Sequence, residues 1–250
     1  MASTSETGHA INVAHFQSLI SYCTGYGSQY NPAKAALKLV GLNAQYTAAE
    51  TTITDVISTG TTFISATNAR EIAFEPIRRT ATQIINALQA TDASAQLIKD
   101  AKTINRKIQG QRKGKTLAPA PPPVPGAPLP TGTQISVSQQ SYDSKLDNFQ
   151  KLIALVASES TYTPNETPIK ITTLNTVVSD LTSKNTACID AATALSNARI
   201  ARNKALYFPN TGLVPIAQAV KKYVLSIFNA SSPQFKQVRK VQFTMRKYNA

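Results

Sequence analysis

Apolar residues recur along this chain at helical spacing. Val13, Phe16, Leu19, Ile20 and Cys23 form one stripe, and Leu146, Phe149, Leu152, Ile153 and Val156 form a second of the same pattern. Steps of three and four place each set on one face of an amphipathic helix. A turn follows each stripe, rich in Gly25, Tyr26, Gly27 and Ser28 in the first case, and an X-Pro step closes both. Next comes a longer stripe in steps of four and three. It reads Leu42, Tyr46, Ala49, Ile53, Val56, Gly60, Phe63, Thr67, Arg70, Phe74 in the first half, and Leu174, Val178, Leu181, Asn185, Cys188, Ala192, Leu195, Arg199, Arg202, Leu206 in the second. Such a stripe predicts a helix of about 40 residues, about 60 Å long at 1.5 Å per residue, packed at shallow angles as in a bundle. Ala49, Gly60 and Ala192 leave room for close approach of a neighbour. The many threonines lower intrinsic helix propensity, so packing must hold the helix and a kink would fall near Gly60. A third helix starts at Pro76 or Pro215, where proline suits a first turn. Ser94 and Ser232 are placed to cap a fourth. Val241, Phe243 and Met245 alternate, which reads as an extended C-terminal segment.

The two halves are copies of one another. Phe16-Gln17 and Leu19-Ile20 match Phe149-Gln150 and Leu152-Ile153. After a shift of one residue, Tyr30, Pro32, Lys38, Leu42-Asn43, Ile57, Ala69 and Arg70 match Tyr162, Pro164, Lys170, Leu174-Asn175, Ile189, Ala201 and Arg202. Residues 116–134 hold seven of the fourteen prolines, a composition that forbids helix and favours a semi-rigid polyproline spacer over a ligand for an SH3-like module. The expected architecture is therefore all-α: two tandem homologous helical bundles, residues 1–115 and 135–250, each with one long helix, joined by a proline-rich linker at 116–134.

Charge adds a second duplicated feature. The 250 residues carry a net +13, of which Leu97 to Lys115 contributes +6 and Lys236 to Lys247 contributes +5. Lys99, Lys102, Arg106, Lys107, Arg112, Lys113 and Lys115 in one copy, and Lys236, Arg239, Lys240, Arg246 and Lys247 in the other, are the candidate polyanion-binding residues. Cationic segments of this kind attract nucleic acid and other polyanions through a salt-sensitive, sequence-independent term. A solvated face that complements helix C-terminal dipoles is the competing explanation. The chain has no zinc-finger spacing, RNP signature or Gly-rich KH loop, so only nonspecific binding is indicated.

Catalytic chemistry finds little footing. There is no phosphate loop, dinucleotide fingerprint, nucleophile elbow or HExxH helix, and His9 and His15 are the only histidines. Cys23 and Cys188 lie within apolar stripes and read as buried small hydrophobes. His15, replaced by Asn148 in the second copy, reads as exposed or locally bonded. Glu71 and Glu75 share a helix face, but their counterparts are Asn203 and Tyr207, so favourable charge near Arg70, Arg78 and Arg79 explains them better than a metal site. Asn43 and Asn175 read as local hydrogen-bonding residues. Arg70 and Arg202 occupy the inner stripe at the same place in each copy. An inward arginine needs a partner, which is either helix-end carbonyls or an anion in a small pocket. No cofactor or metal is expected.

The segments GYGSQYNPAKAALKL (25–39) and NARIARNKALY (197–207) resemble two-repeat helical proteins of Bacteroidota, over nearly the whole chain. The resemblance implies a bacterial source and brings no activity or cofactor with it. No apolar run approaches the roughly 20 residues of a membrane-spanning helix, and the polar N-terminus has no secretory pattern, so a cytoplasmic location is expected, with unconventional export still open. The functional expectation is a non-catalytic structural or interaction protein, self-assembling through its duplicated bundles as a homo-oligomer or larger assembly. The alternative is a nonspecific nucleic-acid or polyanion binder. A buried constellation of acids around Arg70 or Arg202 would point instead to an enzyme.

Overall fold

A computed structural model describes residues 8–111 and 140–246. The proline-rich segment 116–134 lies outside them, as do Arg112, Lys113, Lys115 and Lys247. Among the described residues the fold is all-α, with no strand: α1 (His9–Gly25), α2 (Leu39–Phe74), α3 (Ile77–Gln89), α4 (Ala95–Gln109), α5 (Tyr142–Ala157), α6 (Ile171–Tyr207), α7 (Leu213–Phe228) and α8 (Pro233–Lys240). No helix among these residues is long and apolar enough to cross a membrane.

Local sequence explains where the helices begin and end. Ser94, Ser141 and Ser232 each accept a hydrogen bond from the backbone N–H three residues on, at Leu97, Ser144 and Phe235, satisfying a first-turn donor that the helix itself cannot. Gly110 closes α4 at φ 73°, a left-handed conformation that glycine adopts without steric cost. The X-Pro turns do not lead straight into the long helices. A short 3-10 turn intervenes in each copy, Ala35–Leu37 and Thr167–Ile169. Gly41 packs back onto the first of these, where a Cβ would lie 2.5 Å from the Ala35 carbonyl oxygen.

The long helices run 36 and 37 residues, and α2 is continuous through Gly60. Their exposed threonines stay within the helix by returning the hydroxyl to the carbonyl four residues back: Thr51 to Thr47, Thr54 to Glu50, Thr61 to Ile57, Thr62 to Ser58. In α6 the expected stripe is buried at Leu174, Leu181, Asn185, Cys188, Leu195 and Leu206. Ala191 is buried in place of Ala192, and Arg199 is exposed. A helix of 3.6 residues per turn drifts off a strict seven-residue pattern, and the mid-helix positions show that drift.

The contacts do not divide the chain at the linker. One compact unit comprises residues up to Ile64 together with those from Asp190 onward; the other comprises Ser65 to Ile189. In the first, Val13, Phe16, Leu19, Ile20 and Cys23 of α1 share a core with Leu42 and Ala49 of α2, Leu206 and Tyr207 of α6, five residues of α7 from Val214 to Val224, and Val238 of α8. In the second, Leu146, Phe149, Leu152, Ile153 and Val156 of α5 share a core with Leu174 and Leu181 of α6, Phe74 of α2, Ile77 to Leu88 of α3, and Ala101 and Ile108 of α4. Thus α1 packs on α7 and α8, and α5 packs on α3 and α4. Each unit takes its first helix and the start of a long helix from one copy, and the end of a long helix and the last two helices from the other. Periodicity identifies the face a helix buries but not its partner, and two copies of one unit offer chemically equivalent partners.

Candidate anion-binding sites

The basic residues of α4 are held on a well-defined helix. Ala101 and Ile108 anchor its inner face, and Arg106 and Lys107 lie in its last turn, where cations complement the exposed carbonyls. Lys99, Lys102 and Arg106, at spacings of three and four, fall on one face with Ile98. With Gln89, Ala95 and Thr103 they line a shallow open groove of about 930 Å³. Lys99 and Lys102 are exposed and Arg106 is half-buried. The one acidic residue of α4, Asp100, takes the Gln96 amide at 3.1 and 3.2 Å. The ion pairs among the described residues are elsewhere, Lys151 with Asp147 and Lys184 with Asp180, so none of them engages Lys99, Lys102 or Arg106.

The basic segment of the second copy is built differently. Lys236, Arg239 and Lys240 are exposed on α8, which ends where α4 continues. Beyond it the chain is non-helical, as the alternation of Val241 and Phe243 suggests, and α1 holds it. Asn12 donates from Nδ2 to the Thr244 carbonyl at 2.9 Å and accepts the Thr244 N–H at Oδ1, also at 2.9 Å. His15 donates from Nδ1 to the Gln242 carbonyl at 2.6 Å. Phe243 meets Phe16 edge-on, with ring centroids 6.5 Å apart, and Lys221 donates to the Val241 carbonyl. His15 is therefore bonded to a segment distant in sequence, not locally. Asn12 escaped the sequence reading. Its signal was a polar residue next to Val13 in an otherwise apolar stripe, which marks a buried amide with a partner to find.

The two inward arginines have unlike surroundings. In the second unit Arg70 donates from Nη1 to Asn185 Oδ1 at 3.2 Å, and Asn185 Nδ2 donates in turn to Asp143 Oδ1 at 2.6 Å. The guanidinium carbon sits 4.1 Å from the centroid of the Tyr142 ring, a cation–π contact. Arg70 Nε is buried without an acceptor among the described residues. Arg70 is thus answered from within the protein, by a ring face and, through Asn185, by a carboxylate. Asp143 is exposed, and no buried acid occurs among the described residues.

In the first unit Arg202 donates from Nε and Nη2 to the neighbouring Asn203 Oδ1 at 3.2 and 2.9 Å. Burial lowers its affinity for its proton, and Arg199 and Arg246 act in the same direction while Tyr207 opposes. Beside it, His9 Nδ1 lies 3.0 Å from the Tyr207 hydroxyl, which also accepts Asn12 Nδ2 at 3.2 Å. Burial, reinforced by Arg202 and Arg246, lowers the His9 pKa to about 4. Among the described residues neither arginine bonds a helix-end carbonyl; both reach asparagine side chains.

The remaining candidates have structural surroundings. Cys23 and Cys188 are buried free thiols. Burial raises Cys23 to about 12, against a hydrogen bond with Tyr30, and Cys188 Sγ lies 3.6 Å from the Thr67 hydroxyl. Glu71 and Glu75 are exposed, and no group of three potential metal ligands occurs among the described residues. Asn43 donates to the Leu39 carbonyl at 2.8 Å, as a local bond. No protein family, curated protein or solved structure matches the chain.

Proposed function

We propose that this chain is a non-catalytic interaction protein whose helical framework presents a nonspecific polyanion-binding face on α4. The supporting observation is that Lys99, Lys102 and Arg106 line one groove, with no carboxylate among the described residues paired to any of them. Cations already engaged in ion pairs gain little from a polyanion. Cations that are free of such pairs release the polymer's counterions at full yield. The aliphatic floor at Ile98 and Ala95 supports the lysine stems while the ammonium groups stay in water. The reading is tested by titrating a fluorescent single-stranded oligonucleotide into the protein at a series of salt concentrations. Affinity that falls steeply and linearly with log salt supports it; absence of measurable affinity at low salt overturns it.

The composition of the two units favours a second reading, self-assembly. Because α1 closes on α7 and α8 of the other copy, the same closure is available between separate molecules, which is the route by which exchanged elements generate oligomers. Light scattering across a wide concentration range tests this. A strict monomer throughout counts against it.

A further inference from the structure

We propose that α1 and α7 form a docking site for a peptide chain, filled by residues 241–246 of the same molecule and open to the same segment of a second copy. The site is built from side chains that reach the main chain of its occupant. Asn12 of α1 donates to the carbonyl of Thr244 and accepts its N–H, each at 2.9 Å. His15, on the same helix, donates to the Gln242 carbonyl at 2.6 Å, and Lys221 of α7 donates to the Val241 carbonyl. Side chains of two helices thus engage the backbone at 241, 242 and 244. Val241 is buried and Phe243 half-buried, while Gln242, Thr244, Met245 and Arg246 are exposed. The Phe243 ring lies edge-on to His15 and Phe16, with centroids 6.2 and 6.5 Å apart, and 5.2 Å from Lys221 Nζ. Main-chain hydrogen bonds, with alternate side chains in contact, are a recurring way in which proteins take up peptides.

The equivalent positions of the second unit are filled differently. Aligned through Phe16 with Phe149 and Pro76 with Pro215, Asn12 corresponds to Lys145, His15 to Asn148 and Lys221 to Thr82. Aligned through Ser94 with Ser232, the counterparts of Val241 and Phe243 are Thr103 and Asn105, which stay within the helix α4. There Thr82 accepts the side-chain amide of Gln109 at 3.1 Å. The set of Asn12, His15 and Lys221 therefore goes with a chain that leaves its helix after Lys240. Two features make that chain exchangeable. Little apolar surface holds it, since α8 fully buries Val238 and the segment beyond it Val241, so local opening costs little. Asn12, by contrast, is 2% exposed, and an opened site takes from its Oδ1 the N–H of Thr244, which is costly for a buried acceptor. A site that opens readily and is penalised when empty is refilled by a chain of the same chemistry, and a second copy carries the same residues 241–246. The attached segment competes through its high effective concentration, so exchange between copies requires concentrated protein. This deepens the self-assembly reading given above and rests on it for the occupant, not for the site.

The probe is a labelled peptide of the sequence 241–250, VQFTMRKYNA, titrated with the full-length chain and followed by fluorescence anisotropy. Probe and protein are both cationic, so net charge attraction does not bring them together. The expected result is saturable binding with one site per chain, at least tenfold tighter to Phe243→Ala, whose own segment competes less. N-methylation of the peptide at the residue matching Thr244 removes the N–H given to Asn12 and should weaken binding at least tenfold, as should Phe243→Ala in the peptide. Asn12→Leu/Phe243→Ala in the protein should show the same loss, and the N-methylated peptide keeps the test valid if that variant fails to fold. Light scattering then distinguishes the source of the occupant. The native chain should dimerise as its concentration rises, and excess peptide should disperse the dimer. No saturable binding to Phe243→Ala, or equal binding of the N-methylated peptide, overturns the docking site whatever the oligomeric state. A dimer that excess peptide leaves intact overturns the proposal while self-assembly stands. A chain monomeric throughout overturns the second copy as occupant, and self-assembly with it.

Discussion

The buried phenol of Tyr30 donates to the carbonyl oxygen of Leu37 at 2.7 Å, and in the other copy Tyr162 makes the same bond to Ile169 at 3.1 Å. Each bond closes a loop between a first helix and a long helix across seven residues. Burial pushes both hydroxyls above their ordinary pKa, Tyr162 to about 12, as expected for neutral donors withdrawn from water. Replacing either tyrosine with phenylalanine leaves a buried carbonyl without its donor while keeping the ring. Tyr30→Phe and Tyr162→Phe should each lower stability by about 1–3 kcal/mol, read as a lower urea midpoint at unchanged slope. A loss below about 0.5 kcal/mol in both would show that water or another donor takes over the carbonyl.

Because each core draws on both copies, neither half of the chain holds a complete one. Residues 1–115 carry Val13, Phe16, Leu19 and Ile20 of α1 without the α7 and α8 side chains that cover them. Residues 135–250 carry Phe149 and Leu152 without α3 and α4. Expressed separately, each half should fail to unfold cooperatively as a monomer. Mixed in equal amounts, the two should form a heterodimer with a cooperative melt by circular dichroism and the summed mass by light scattering. A monomeric, cooperatively folding 1–115 would contradict this pairing of helices.

What the sequence made legible, and what it hid, follows the range of the interactions. Helix faces, the Ser94 and Ser232 caps and the end of α8 before Val241 depend on neighbours within a few residues, and a pattern of spacings records them. The partner of α1 does not depend on such neighbours. Phe16 and Phe149 occupy equivalent positions, so a core built around either accepts α3–α4 or α7–α8 on chemical grounds. The hold of Asn12 on Thr244 spans 232 residues, and nothing near Asn12 announces it. The unlike fates of Arg70 and Arg202 were half visible. Asn203 and Tyr207 opposite Glu71 and Glu75 showed a loss of negative charge, while the roles of Asn185 and Asp143 needed the fold.

The α4 face makes a quantitative prediction. Each cation that neutralises a nucleic-acid phosphate contributes about 0.7 to the magnitude of the log–log salt slope on a single strand. Lys99→Gln/Lys102→Gln/Arg106→Gln should therefore reduce that magnitude by about 2. These side chains lie off the buried face of Ala101 and Ile108, so the thermal midpoint should hardly change. An unaltered slope in the triple variant would move any polyanion affinity to another part of the surface.

His9 should leave its mark on stability as a function of pH. Its pKa in the folded protein is lowered from 6.5 to about 4, by burial first and by Arg202 and Arg246 next. Between those two values the unfolded chain holds a proton on His9 that the folded chain does not, and stability rises with pH wherever the unfolded state binds more protons. The contribution of His9 is therefore complete above about pH 6.5, declines as the pH falls toward 4, and is gone below it. Urea midpoints measured in steps from pH 7.5 to pH 4 should fall for the native sequence and fall less for His9→Gln. That glutamine can still pair with the Tyr207 hydroxyl but cannot titrate. Parallel curves for the two proteins across this window would mean that His9 protonates as readily in the fold as out of it, and that the positive surroundings of Arg202 are neutralised before they reach the imidazole.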